Sequence, residues 1–323
     1  MFRKNLMLFY GILSTSVLFA RPSLLGKTSY KAGSIKDFKI NLAWEDLEIV
    51  NTDDDEITVE IYCNKKKYAP TVKESSSTLC IETQPFRFGF AIEKKECVVV
   101  VSVPQGKTFE KAIVNISSGD VQIQNVTADS LTLHTSSGDI LVSEGKASKL
   151  SVTASSGDVS VNNFTSQDSK FTSSSGNIKL NTFETQTLHS TASSGNITAN
   201  RLFCQSFNVS TSSGTIGLEL DSTPVKKSEV STSSGTVYVS LPGNSSVDIK
   251  ATTSSGSFTN TFTKEVLSSH AGYSRSINGG GAEIAFSSSS GSITVDSNDS
   301  VSSAPYIPEN DTDIPVVIFD DAK

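Results

Sequence analysis

Three aspartates, Asp120, Asp139 and Asp158, each follow a Ser-Ser-Gly triplet and stand 19 residues apart. Carboxylates in such a register suit two chemistries. Stacked about 5 Å apart they repel by about 0.8 kcal/mol per neighbour even in water, which invites a hard cation such as calcium. Held as a pair at a working separation, they would instead serve sugar hydrolysis or elimination. The serines raise nucleophilic catalysis as a third option, and it fails. No Gly-x-Ser-x-Gly elbow is present, and His134, His189 and His270 share no fixed offset from the motif that would supply a base. Cys63, Cys80, Cys97 and Cys204 do not match a zinc pattern. In an oxidising compartment they permit two disulfides in three connectivities, with at most one pair inside the N-terminal segment unless Cys204 reaches back.

The aspartate position itself argues for architecture over ligation. In later copies it continues as Asn177, Asn196, Thr215, Thr236, Ser257 and Ser292. A metal ligand requires charge, whereas a turn requires only a short side chain that hydrogen-bonds locally. The series fits the turn, with Asp120, Asp139 and Asp158 kept as calcium candidates. No cofactor is expected.

What positions these residues is a repeat. The motif glycines are Gly119, Gly138, Gly157, Gly176, Gly195 and Gly214, five consecutive intervals of 19, followed by Gly235, Gly256 and Gly291 at intervals of 21, 21 and 35. Two residues after each glycine comes an apolar, mostly β-branched residue (Val121, Ile140, Val159, Ile178, Ile197, Ile216), and four after all but Gly256 comes another. Twelve and fourteen after stand pairs such as Leu131 with Leu133 and Leu150 with Val152. Seven after is a further apolar site, at Val126, Phe164, Phe183 and Leu202, with Asn162, Asn181 and Asn200 two residues before the last three. Alternation at period two marks short strands.

A 19-residue unit of such strands cannot bury a face alone, but stacked units can, each strand pairing in parallel with its equivalent one rung away. The expected fold is therefore all-β: a single-stranded parallel β-solenoid of 19-residue coils with an N-terminal β-strand cap region. Six evenly spaced rungs rise about 24 Å. The glycines are expected at corners, where their tolerance of positive φ is useful, and the paired serines are expected to satisfy backbone donors there.

The chain divides into residues 1–20, 21–112, 113–296 and 297–323. The first segment has Arg3 and Lys4 ahead of an apolar run ending at Ala20, which reads as a cleaved signal peptide. The second carries 14 acidic and 14 basic residues and reads as successive strands around the acidic turn Asp53-Asp54-Asp55. Lys65-Lys66-Lys67 is a solvated tip, and Trp44 with Phe86, Phe88 and Phe90 is core or cap. The third is the repeat, with 261–295 expected to close its far end. The fourth, with six acids against Lys323 and three prolines, is expected to be an acidic flexible tail containing a short apolar patch at 314–319. Losing the signal takes the net charge from -7 to about -9. No basic stripe exists to neutralise phosphates, which excludes nucleic acid. No other apolar run is long enough to span a bilayer.

The entry Val-Ser-Val-Pro-Gln-Gly at 101–106, the reiterated Ser-Ser-Gly-Asp-Ile corner and the closing Gly-Gly-Gly-Ala-Glu-Ile-Ala-Phe at 279–286 resemble the toast-rack adhesin domain of bacterial cell-envelope proteins. The resemblance covers most of residues 35–296. It implies an exported protein, periplasmic or on the cell surface, that acts as a scaffold for binding or envelope-stress sensing, and it brings no catalytic residues. The expected function is thus a non-catalytic adhesin or envelope-associated scaffold for an envelope, glycan or protein partner. The alternatives are a polysaccharide-acting β-helix enzyme, for which only Asp120, Asp139 and Asp158 offer carboxylates, and a structural or assembly component.

Overall fold

The computed structural model describes residues 22–84, 96–267 and 272–298. The expected signal peptide, the Phe86, Phe88 and Phe90 cluster, and all but the first two residues of the acidic tail lie outside them. Strands dominate, and Lys66–Tyr68 forms a 3-10 turn that presents Lys65, Lys66 and Lys67 to solvent.

The repeat forms the expected parallel solenoid. Val126–Thr135 pairs in register with Gly145–Ala154, that strand with the second half of Val159–Ser173, and so on through Ile178–Ala192 and Ile197–Thr211. Every pairing joins residues 19 apart, so each apolar position stacks on its counterpart. Each coil has three runs, exemplified by 121–123, 126–128 and 130–135, with bends between them. Two ladders, through Val121 and Ile140 and through Leu133 and Val152, are fully buried. Bulk is shared between coils. Gly145 occupies the position of Phe164 one rung earlier, and a Cβ there would lie 2.5 Å from the Phe164 ring. Phe164 in turn stacks on Phe183 at 6.1 Å.

The corner glycines have a different cause from the one expected. Among the described residues only Gly106, Gly279 and Gly280 are glycines at positive φ, and no corner glycine is among them. The reason for glycine is lack of space. A Cβ on Gly138 would lie 1.9 Å from the carbonyl oxygen of Gly119, and the same contact recurs at Gly157, Gly176, Gly195 and Gly214 at 1.9–2.0 Å. The positive φ angles fall instead on non-glycine residues at another bend: Asn163 (47°), Thr182 (50°) and Arg201 (55°). Each follows the stacked Asn162, Asn181 and Asn200, whose amides bond from rung to rung at 2.7 and 3.1 Å.

Both ends depart from simple succession. At the N-terminal end Asp37–Leu42 lies between Thr78–Glu82 and Thr108–Ile116, and Asp46–Thr52 lies between Cys97–Pro104 and Val121–Ile123. Residues 37–52 are thus a coil in their own right, with Glu45 at the glycine position. The buried Glu45 carboxylate accepts hydrogen bonds from the Ala43 and Trp44 amides (2.9 and 3.0 Å) and from the Thr83 hydroxyl (2.7 Å). Trp44 packs edge-on against Tyr68. At the C-terminal end, Ala282–Ser288 lies between Ser228–Thr232 and Val247–Thr253, and Ile293–Ser297 lies between Val237–Leu241 and Phe258–Asn260. Residues 282–297 therefore form the penultimate rung, not the closing cap expected of 261–295. The actual covers are antiparallel: Glu265–Leu267 and Gly272–Ile277 at this end, Thr71–Ser75 and Glu56–Cys63 with Leu24–Lys31 at the other. The exposed Leu24–Lys31 edge carries two lysines and a register irregularity at Leu24/Gly26, both of which discourage pairing with a further strand.

Of the three connectivities open to the cysteines, one pair forms: Cys63 with Cys97, across an antiparallel pair of strands. Closing a separation of 34 residues restricts the unfolded chain by about 3–4 kcal/mol. Cys80 and Cys204 are free.

Two outcomes follow for urea denaturation. Gly157→Ala drives a Cβ into the Gly138 carbonyl and is expected to cost about 3 kcal/mol or more. Thr182→Gly relieves a β-branched residue from left-handed backbone and is expected to raise stability by about 0.5–1 kcal/mol, after glycine's entropic cost is deducted.

Candidate functional site

The structure brings Asp120, Asp139 and Asp158 together one above another on an exposed corner, and adds Asp46 beneath them. Their role there is structural. The Asp120 amide donates to Asp46 Oδ1 (3.0 Å), the Asp139 amide to Asp120 Oδ1 (2.9 Å) and the Asp158 amide to Asp139 Oδ1 (2.8 Å). The column continues with the Asn177, Asn196 and Thr215 amides at 2.7, 3.0 and 2.8 Å. Each side-chain oxygen satisfies the amide that follows the next corner glycine. Asn177 and Asn196 offer the same accepting oxygen as the aspartates. Among the described residues no three acidic, His or Cys side chains converge as metal ligands, and His134 and His189 are not brought to the aspartates.

The charge on the column is a liability. The Asp139 carboxyl titrates above the ordinary range because its neighbours partly desolvate it and because Asp120 and Asp158 repel its ionised form. Asp46 is raised for the same reasons, desolvation foremost. A raised folded-state value means that the folded chain holds the proton more tightly than the unfolded chain. That stabilisation is complete below the unfolded carboxylate value and is lost as pH rises through the folded one.

The paired serines contribute through their main chains, as in the Ser137 amide to Ser117 carbonyl bond at 2.9 Å. The hydroxyl that caps the corner comes from the residue before them. Thr135, Thr211, Thr232, Thr253 and Ser288 accept the corner glycine amide at 2.8–3.2 Å. These side chains are buried, and the alternation of Thr and Ser with Ala154 and Ala192 at that position was the available signal.

The feature with room for a ligand lies elsewhere. A groove of about 640 Å³ runs across the coils from Thr108 to Val225. Its floor is the column Ala128, Ala147, Ser166, Thr185 and Cys204, all small and buried. The next position in each coil drops out of the strand pairing and forms a bend. In three successive coils that position is Gln167, Gln186 and Gln205, exposed and lining the groove. Their amides repeat at about 4.8 Å along it. Phe203 offers a half-buried ring, and the charged lining is Asp129, Lys146 and Glu184. Floor hydroxyls are tied down internally: Thr185 Oγ1 donates to the Gln167 or Thr187 carbonyl (3.0 and 3.1 Å). Burial pushes the Cys204 thiol up to about 12, so it stays protonated and is no nucleophile. The glutamines share the period of 19 in the sequence, but a lone polar column among Ser, Thr and Asn carries no apolar signature to single it out.

Asp139→Asn keeps the accepting oxygen and removes the charge. At neutral pH it is expected to melt higher than the parent, by at most about 1 kcal/mol given solvent screening. The gain should vanish below about pH 4, where both states of the parent are protonated. Calcium or a chelator should leave the parent's midpoint unchanged; a calcium-dependent rise abolished by Asp139→Asn would restore the metal site.

Among curated proteins no sequence matches the chain. Of solved structures, one described as a putative adhesin from Parabacteroides merdae aligns at 12% identity over 67% of this chain and 89% of its own, with a TM-score of 0.43. One described as a putative lipid binding protein from Parabacteroides distasonis aligns at 19% over 84% and 96%, TM-score 0.41. A third, a putative adhesin from Bacteroides fragilis, aligns at 16% over 85% and 97%, TM-score 0.38. The family model Toastrack DUF4097 matches residues 35–296, from the first out-of-order coil to the last, and the chain belongs to that family.

Proposed function

We propose that the protein is an exported, non-catalytic binding scaffold of the bacterial envelope, an adhesin-type module that holds an extended, hydroxyl-rich glycan along its groove. The observation that carries this reading is the glutamine column at one amide per rung above a floor of small side chains. Primary amides both donate to and accept from hydroxyl groups. A pyranose with its bridging oxygen spans roughly one rung, whereas side chains on one face of an extended peptide recur about every 6.6 Å and fall out of step. Two acids against one base in the lining favour a neutral polymer over a polyanion. The Cys63–Cys97 disulfide supports export.

The enzyme alternative lacks support in the groove. Asp120, Asp139 and Asp158 do not line it. Its two carboxylates, Asp129 and Glu184, lie three rungs apart, about 14 Å, beyond the roughly 5–9.5 Å that glycosidases use.

Titration with neutral β-linked oligosaccharides of increasing length is expected to show affinity rising with each added sugar. The triple variant Gln167→Ala, Gln186→Ala, Gln205→Ala should weaken the longest by about tenfold or more, as loss of several hydrogen bonds predicts. Cleavage of the oligosaccharide, or equal binding by the triple variant, would sink the proposal.

A further inference from the structure

A second space lies inside the solenoid, separate from the groove. Between the coil of 37–52 and that of 108–123 lies a partly open cavity of about 150 Å³. Its origin is the out-of-order coil. The run represented by 126–128 is paired back only to Thr108 and Phe109, while residues 37–52 pair through 37–42 and 46–52 alone. One side of that rung is left without a strand, and the turn at Gly106 and Lys107 closes the gap.

The walls combine the apolar Phe38, Ile49, Phe109 and Leu131 with the polar Asn51, Asn125 and Thr127, and Lys107 is the charged residue in the lining. Lys107 is half-buried. Its ammonium donates to the Ile35 carbonyl and lies 5.4 Å from the centroid of the Phe109 ring. Burial lowers its pKa, and among the described residues no carboxylate opposes the shift. The acid nearest in sequence, Glu110, is paired with Lys36 at 3.0 Å. Among the described residues no acid sits beside this ammonium to act as its counter-charge, and in a partly desolvated site its pull on an anion is stronger than in water. A cavity of this size has room for a benzene-sized molecule.

We propose that this cavity binds a small apolar carboxylate, its tail among Phe38, Ile49, Phe109 and Leu131 and its carboxyl group on the Lys107 ammonium. The aromatic and short aliphatic acids of the size of benzoate and hexanoate are the class that fits. Longer fatty acids exceed the space.

The test is calorimetric titration of the protein with benzoate and hexanoate beside benzyl alcohol and hexanol. Saturable binding of the acids, about tenfold or more tighter than the matching alcohols, is expected for a charge-assisted contact. Lys107→Met should erase that preference and Lys107→Arg should retain it. Ala112→Leu, which fills the cavity from its wall, should abolish binding of acids and alcohols alike. Equal affinity for acid and alcohol, no saturable binding, or binding unchanged in Ala112→Leu would overturn the proposal. If Lys107→Met does not fold, the acid-to-alcohol ratio in the parent and the Ala112→Leu result decide. The groove is untouched by these variants, so glycan binding in them stands or falls separately.

Discussion

At each Ser-Ser-Gly corner a backbone carbonyl oxygen of the neighbouring coil lies about where a Cβ on the corner glycine would have to be, and most of the molecule follows from that contact. With the main chains so close, the corner amides need acceptors that reach only one rung. The Asp, Asn and Thr column supplies one set and the buried Thr and Ser before the doublet supply another. The pitch fixed at the corner is then imposed on every run of the coil, and at some positions a large side chain in one rung is met by a small one in the next. Phe164 over Gly145 and Phe171 beside Ser190 are both of this kind. A corner that tolerated alanine would have a different pitch, and these ladders would not mesh.

The same regularity makes the exceptions informative. The groove exists because one bend in each coil falls outside the strand pairing, so its side chains project while the neighbours beneath stay small. The cavity exists because one coil comes from a distant stretch of chain and lacks one of the three runs. Both sites are set by where the repeat is broken or bent, and neither by the motif that repeats most faithfully.

That explains which parts were legible in the sequence. Glycine spacing and β-branched alternation encode rung-to-rung stacking directly, so the parallel solenoid and its core ladders could be read off. The aspartate column could be recognised as structural because Asn177, Asn196 and Thr215 stand at the same register. The basis of the glycine requirement was not legible: a residue excluded by a neighbour's carbonyl looks the same in sequence as one selected for positive φ. The order of the terminal rungs was hidden for another reason. Strand pattern identifies which segments pair but not which neighbours they choose, and residues 282–297 carry the same corner and apolar spacing wherever they are inserted. The glutamine column and Lys107 left no mark because neither position needs an apolar residue.

The interleaved ends have a consequence for how such a molecule changes length. At each terminus one rung is held between two others supplied by separate parts of the chain, with antiparallel strands outside. The two ends are therefore finished assemblies that do not depend on how many coils lie between them. Interior coils meet only their immediate neighbours through one repeated contact, so a whole 19-residue unit can be gained or lost there without reworking either terminus. The fold behaves as a ruler with fixed end-stops: duplication of a central unit lengthens the groove by one amide and leaves the cavity, the disulfide and the edge strands as they were.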